Sequence, residues 1–160
     1  MNEQAVLVLE DSSHFVGQRL GAPGQSVGPL EICAAMTGYQ EVLTDPVHQG
    51  QIMVMTAPHI GNTGFNDQDS KSPRIWVSGL VVRSAARRFS NWQAIRSLQD
   101  ELVAHGVVGI TEVDTRAITL LQREHGRPLR AGVFSGPALM DLRGRPRPIE
   151  ELVEIIQAAP

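Results

Sequence analysis

A protein can do chemistry only where certain residues meet: a nucleophile beside a base, an acid paired with a base, or a set of metal ligands. This sequence offers few of them. Cys33 is the single cysteine, so an internal disulfide and a multi-cysteine zinc site are both excluded. A nucleophilic cysteine needs a base within reach and a lowered pKa. Cys33 instead closes the apolar stretch Leu30-Glu31-Ile32-Cys33, with no histidine near it in sequence, and reads as a buried structural residue. The histidines at 14, 48, 59, 105 and 125 show no His-x-x-x-His pair or comparable ligand spacing, and no metal is expected. His59 with Asp67 and Asp69 can be drawn as a hard-metal or acid-base site. Polar, turn-rich loops of this type more often have no such role.

Two further patterns carry nothing. Gly21-Ala22-Pro23-Gly24 lacks the spacing of a phosphate-binding loop, and Pro23 removes one of the backbone donors a phosphate would need. Ser90, Ser135 and the other serines have no Gly-x-Ser-x-Gly elbow around them. The residues alone therefore give no catalytic set and no cofactor. That shifts weight from enzyme toward domain, subunit or interaction module.

The elements that would position these residues alternate between strand and helix, the pattern of an α/β domain. Ala5 to Leu9 is a continuous apolar run, Glu10 to Ser13 a turn cluster, and His14 to Leu20 the returning arm of a hairpin. Gly21, Pro23, Gly24 and Gly28 are expected to break regular structure before a strand over 30–33, which leads into a loop. Gln51 to Thr56 and Ile75 to Val82 read as buried strands separated by a long polar loop. Ser97 caps a helix stopped by Gly106, and a strand over 107–110 follows. Asp114 or Thr115 caps a second helix that ends at Gly126, and Leu129 to Phe134 forms the last strand. A final helix follows Pro148, with Ile149, Leu152, Val153 and Ile156 as its stripe.

Composition bounds the partners. Hydrophobic residues at 42% and charged residues at 19% describe a folded globular domain rather than a disordered one. A formal net charge of -3 supplies no basic field for a nucleic acid. The start Met1-Asn2-Glu3-Gln4 lacks a signal peptide's basic and apolar regions, and no apolar run approaches a membrane span. No nucleic acid and no membrane is expected, and the location expected is the cytoplasm.

Several ordered motifs go further than these patterns. Ala35-Met36-Thr37-Gly38-Tyr39-Gln40-Glu41 is followed by Leu43-Thr44-Asp45-Pro46, then by Pro58-His59-Ile60-Gly61-Asn62-Thr63-Gly64 with Asn66-Asp67. Leu7-Val8-Leu9-Glu10-Asp11, Gly79-Leu80-Val81-Val82-Arg83, Ser90-Asn91-Trp92, Asp114-Thr115-Arg116-Ala117 and Arg123-Glu124-His125-Gly126 extend the series along the chain. In this succession they resemble the small subunit of glutamine-dependent carbamoyl phosphate synthetase, in its amino-terminal domain.

The resemblance implies a three-layer β/β/α domain with a mixed sheet over residues 1–160. It also implies two partners, a glutamine amidotransferase domain and the large synthetase subunit, in a complex that makes carbamoyl phosphate from glutamine, bicarbonate and ATP. The amidotransferase triad has no counterpart here. The sequence stops at Ala158-Ala159-Pro160, where the family would continue through a linker, so the reading is of a non-catalytic structural and subunit-association domain with the amidotransferase domain absent. Interface candidates are Met36, Thr37, Gly38, Tyr39, Gln40, Thr44, Asp45 and Pro46, with the last helix as a further face, and an isolated domain of this kind is expected to self-associate.

One family contact with bound glutamine comes from a serine after the Thr-Asp-Pro motif. Here that position is Val47, which has no side-chain hydrogen bond to offer. Cys33 and Ala34 stand where the family has asparagine and threonine. These departures motivate an alternative, a stand-alone paralogue acting as a binding or scaffold protein. Carbamoyl phosphate feeds both pyrimidine and arginine biosynthesis, and nothing in the sequence separates the two.

Overall fold

The computed structural model describes residues 3–34, 38–57, 66, 70–85 and 97–159. Its first strand shows how the chain is organised. β1 (Gln4–Leu9) turns through 10–13 into β2 (His14–Gly21), as the hairpin reading expects, with Val6 opposite Val16. Ala5, Leu7 and Leu9 face one hydrophobic cluster while Val6 and Val8 face another. The strand is buried on both sides, and a continuous apolar run follows from that.

Among the described residues five more strands follow: β3 (Gly24–Cys33), β4 (Ile52–Met55), β5 (Gly79–Val82), β6 (Val108–Thr111) and β7 (Arg130–Ser135). Together they close into a mixed barrel in the order β1-β2-β6-β5-β4-β3-β7. β3 to β6 run parallel to one another, and the remaining pairings are antiparallel. The chain is thus mixed α/β, with helices α1 (Tyr39–Leu43), α2 (Leu98–Ala104), α3 (Thr115–His125) and α4 (Ile149–Ala158) around the barrel.

β3 makes the closure possible. Its first half, Gly24 to Pro29, pairs with β7, and its second half, Leu30 to Cys33, pairs with β4. The glycines and prolines expected to break this stretch therefore lie partly inside a strand. The turn is confined to 21–24, where Gly21 and Gly24 have φ of 76° and 132°. At Gly28 a Cβ would collide with the backbone carbonyl oxygen of Gly50. Here glycine is needed for close approach rather than for a turn.

The barrel has an inner core and two outer ones. Inside, Leu7, Leu30, Ile52, Val81 and Ile110 meet Ile118 of α3, which packs into the same cluster. On the outer face of β4 and β5, Met53, Met55, Leu80 and Val82 are covered by Leu43, Leu98 and Leu102. On the outer face of β1 and β7, Val6, Val8 and Phe134 are covered by Leu152, Val153 and Ile156 of α4. The apolar stripe of the last helix, read as a docking face, is therefore buried within the chain itself.

The helix ends follow the expected chemistry. Ser97 Oγ accepts from the Asp100 amide at 3.0 Å, Asp114 Oδ1 accepts from the Ala117 amide at 3.1 Å, and Gly126 ends α3 in the left-handed conformation at φ 69°. Residues 75–78, read as part of a strand, lie before β5 begins at Gly79. Their backbone bonds instead to 43–51: Trp76 N–H donates to Leu43 O at 2.9 Å, and Trp76 O accepts from Gly50 N–H at 3.2 Å. Among the described residues, no helix is long and apolar enough to cross a membrane.

Candidate functional site

The segment between β3 and β4 was expected to be a loop, yet it holds a short helix and a 3-10 turn. Gly38, at φ 79°, admits the chain to α1. Tyr39, Gln40, Leu43 and Thr44 are buried, a spacing of one, three and one that fits a single helical face. Two of those four residues are polar, and each is satisfied.

Gln40 is 4% exposed. Its Nε2 donates to Asn66 O at 2.6 Å and to Ser70 Oγ at 2.8 Å, while its Oε1 accepts from the Asn66 amide at 3.1 Å. Thr44 Oγ1 donates to Gln40 O at 2.7 Å and accepts from the Lys71 amide at 2.9 Å. Ser72 Oγ then donates to Thr44 O and accepts from the Trp76 indole N–H, both at 2.7 Å. One side-chain network thus latches residues 66 and 70–76 onto α1. Buried polar groups cost free energy unless paired, so a network satisfied in this way specifies one arrangement.

The turn after α1 rests on this latch. Asp45 Oδ1 accepts from the Val47 amide at 3.1 Å and caps the 3-10 turn Pro46–His48. That hydrogen bond, supported by the nearby Lys71 ammonium at 3.5 Å, holds the Asp45 carboxyl below the usual aspartate range. His48 Nδ1 lies 2.8 Å from Gln51 Oε1. Val47 stands at the tip with its side chain 71% exposed.

The structure thus divides the residues singled out from sequence. Gly38, Asp45, Pro46 and Val47 reach the surface, whereas Tyr39, Gln40 and Thr44 lie beneath it. Met36 and Thr37 lie outside the described residues, as do His59, Asp67 and Asp69. Cys33 is half-buried at the end of β3, and its carbonyl accepts from the Thr56 amide at 3.0 Å and Thr56 Oγ1 at 3.3 Å. No group of three His, Cys, Asp or Glu side chains gathers as a metal site among the described residues. The arrangement is a fixed turn that reaches the surface over a satisfied polar layer.

Sequence reasoning missed Ser72, Arg74 and Trp76. Trp76 was counted as a strand residue, and nothing local ties it to a turn about 30 positions earlier. The Arg74 guanidinium lies over the Trp76 ring, 4.1 Å from its centroid. The local signal is the helical spacing of Tyr39, Gln40, Leu43 and Thr44 behind Gly38.

Residues 7–131 match a family model described as the carbamoyl-phosphate synthase small chain, CPSase domain. The chain is similar to the carbamoyl phosphate synthase small chain of Streptomyces coelicolor, at 58% identity over 137 residues, which is 86% of this chain and 36% of that one. It is also similar to the small chains of Bifidobacterium longum, at 46% over 159 residues (99% of this chain, 39% of that one), and Corynebacterium glutamicum, at 49% over 158 residues (98% and 38%). The chain spans less than two fifths of the length of these curated relatives.

Proposed function

The chain belongs to the carbamoyl-phosphate synthase small-chain family, and from that membership we propose that it acts as the structural and subunit-association domain of a glutamine-hydrolysing small chain. In this reading it is itself non-catalytic and works in the cytoplasm. It supports a glutamine amidotransferase domain and joins it to the large synthase chain, and the assembled complex forms carbamoyl phosphate from glutamine, bicarbonate and ATP. Support for the three-layer β/β/α reading comes from the helices packed over β4 and β5 on one wall of the barrel, with α4 added on the opposite wall.

The exposed turn at Asp45, Pro46 and Val47, held from below by Gln40 and Thr44, carries this proposal. A surface turn fixed by buried hydrogen bonds is preorganised, and preorganisation lowers the cost of docking. Val47 gives van der Waals contact where the family's serine implies a hydroxyl, so any contact with glutamine through this position lacks a side-chain hydrogen bond.

The test is complementation in vitro. Added to the uncovered carboxy-terminal portion of the Streptomyces coelicolor small chain and that organism's large synthase chain, this chain should restore glutamine-dependent carbamoyl phosphate formation. Failure of the three to associate, with each component folded, would sink the proposal. The exposed Val47 favours a second reading, a paralogue that works as a scaffold without the synthase. Association of this chain with the large synthase chain would sink that reading.

A further inference from the structure

We infer that Arg74 and Trp76 form a second half of the docking face, and that they recognise a carboxylate set beside an apolar side chain on the partner domain. The inference rests on the docking role proposed above and adds the recognition chemistry of that face.

The first observation is continuity. Trp76 is bonded through its backbone to both ends of the 44–49 turn, at Leu43 O and Gly50 N–H. Its indole is fixed by Ser72 Oγ, which is itself fixed by Thr44 O. The same latch therefore ties Trp76 to the turn that carries Val47.

The second observation is charge. Asp45 is paired with Lys71, and His48 is engaged by Gln51. Arg74 is exposed, and its guanidinium is positioned by the Trp76 ring. It makes no ion pair among the described residues, whereas Arg19, Arg127, Arg145 and Arg147 each have a carboxylate partner. Glu41, the charged residue of α1, is exposed and is likewise without an ion pair among the described residues. Contact with the ring holds the guanidinium in place and leaves N–H donors open, and a planar fork of donors fits a carboxylate in bidentate geometry.

The third observation is composition. Pro46 and Val47 are exposed, and the half-buried Trp76 is bonded to both ends of the turn that carries them. Apolar surface around an aromatic residue and an arginine is the make-up of an interface anchor, in which the surrounding contacts exclude water from the charged pair.

The experiment measures binding of this chain to the carboxy-terminal portion of the Streptomyces coelicolor small chain by calorimetry. Arg74→Ala should weaken binding by roughly 30-fold and Arg74→Glu by more than about 100-fold, the scale of an interface anchor. Arg74→Lys keeps the charge and loses the fork, so it should recover only part of the affinity. Arg116→Glu on the exposed side of α3 removes a cation elsewhere and should leave binding unchanged. Each variant's thermal midpoint is measured as a folding control. Equal affinity of the unaltered chain, Arg74→Ala and Arg74→Glu would overturn the Arg74 inference while leaving the docking role standing. Full recovery by Arg74→Lys would replace bidentate recognition with simple charge attraction and would also overturn it. An unaltered chain that does not bind would sink the docking role, and this inference with it.

Discussion

Inside the barrel, Leu7, Leu9, Leu30 and Ile52 are wholly buried among other hydrocarbon side chains. On the flank beside β4, Gln40 and Thr44 are almost as deeply buried, but among hydrogen-bond partners. The interior is held by contacts without direction, summed over many side chains, and one loss there is felt through the whole fold. The flank is held by a few directional bonds, each dependent on the chemical type of one residue. The comparison teaches a division of labour: burial of hydrocarbon makes the scaffold, and satisfied polar groups aim its surface.

Truncating a core side chain tests the first half of that comparison and should have the largest effect. Phe134 is fully buried between the barrel wall and α4. Phe134→Ala should cost about 3–5 kcal/mol of global stability, read as a lower urea midpoint with an unchanged slope. A loss confined to α4, with the barrel melting as before, would show that the outer core is separable from the inner one.

Gln40→Ala tests the other half. It removes three hydrogen bonds from a buried site and should cost about 1–3 kcal/mol. Its signature is local: amide exchange should rise around 40–45 and 70–76 while β1, β2 and β7 keep their protection. Gln40→Glu should behave alike, because an ionised carboxylate accepts but cannot donate to Asn66 O and Ser70 Oγ. Uniform loss of protection across the barrel would mean that latch and scaffold are a single cooperative unit.

The smallest effect is expected at the β1–β2 turn, where polar bonding meets the barrel end. The hydrogen bond from Arg127, with a second from the Arg130 amide, holds the Glu10 carboxyl below the usual glutamate range. Its folded pKa lies under its unfolded one. The contribution is therefore present above the ordinary value of about 4.3 and is lost as pH falls through the folded value. Glu10→Gln should lower the thermal midpoint slightly at pH 7, and the gap to the unaltered chain should narrow as pH falls below the ordinary glutamate range. A gap that did not change with pH would assign the effect to packing rather than charge.

The sequence was legible where structure follows from local rules. The β1–β2 hairpin, the caps at Ser97 and Asp114, the stop at Gly126 and the stripe of α4 all arise from neighbours within a few residues. The motif series was equally readable and pointed to the family that the comparisons then showed. Periodicity failed at Gly24 to Pro29 and at Ile75 to Ser78. In the first, glycine serves close packing inside a strand. In the second, an apolar alternation is satisfied by pairing with a turn rather than a sheet.

The sequence by itself therefore determined the mixed α/β class, most elements and their ends, and the family. These rest on side-chain type, period and capping, which act over a few residues. Only the tertiary structure decided that seven strands close into a barrel, that the apolar face of α4 is buried within the chain, and that Tyr39, Gln40 and Thr44 lie beneath a surface on which Asp45, Pro46 and Val47 stand. It alone placed Arg74 and Trp76 beside that turn. The physical reason is that strand pairing and buried hydrogen bonds join residues tens of positions apart, and no local pattern specifies which partners they find.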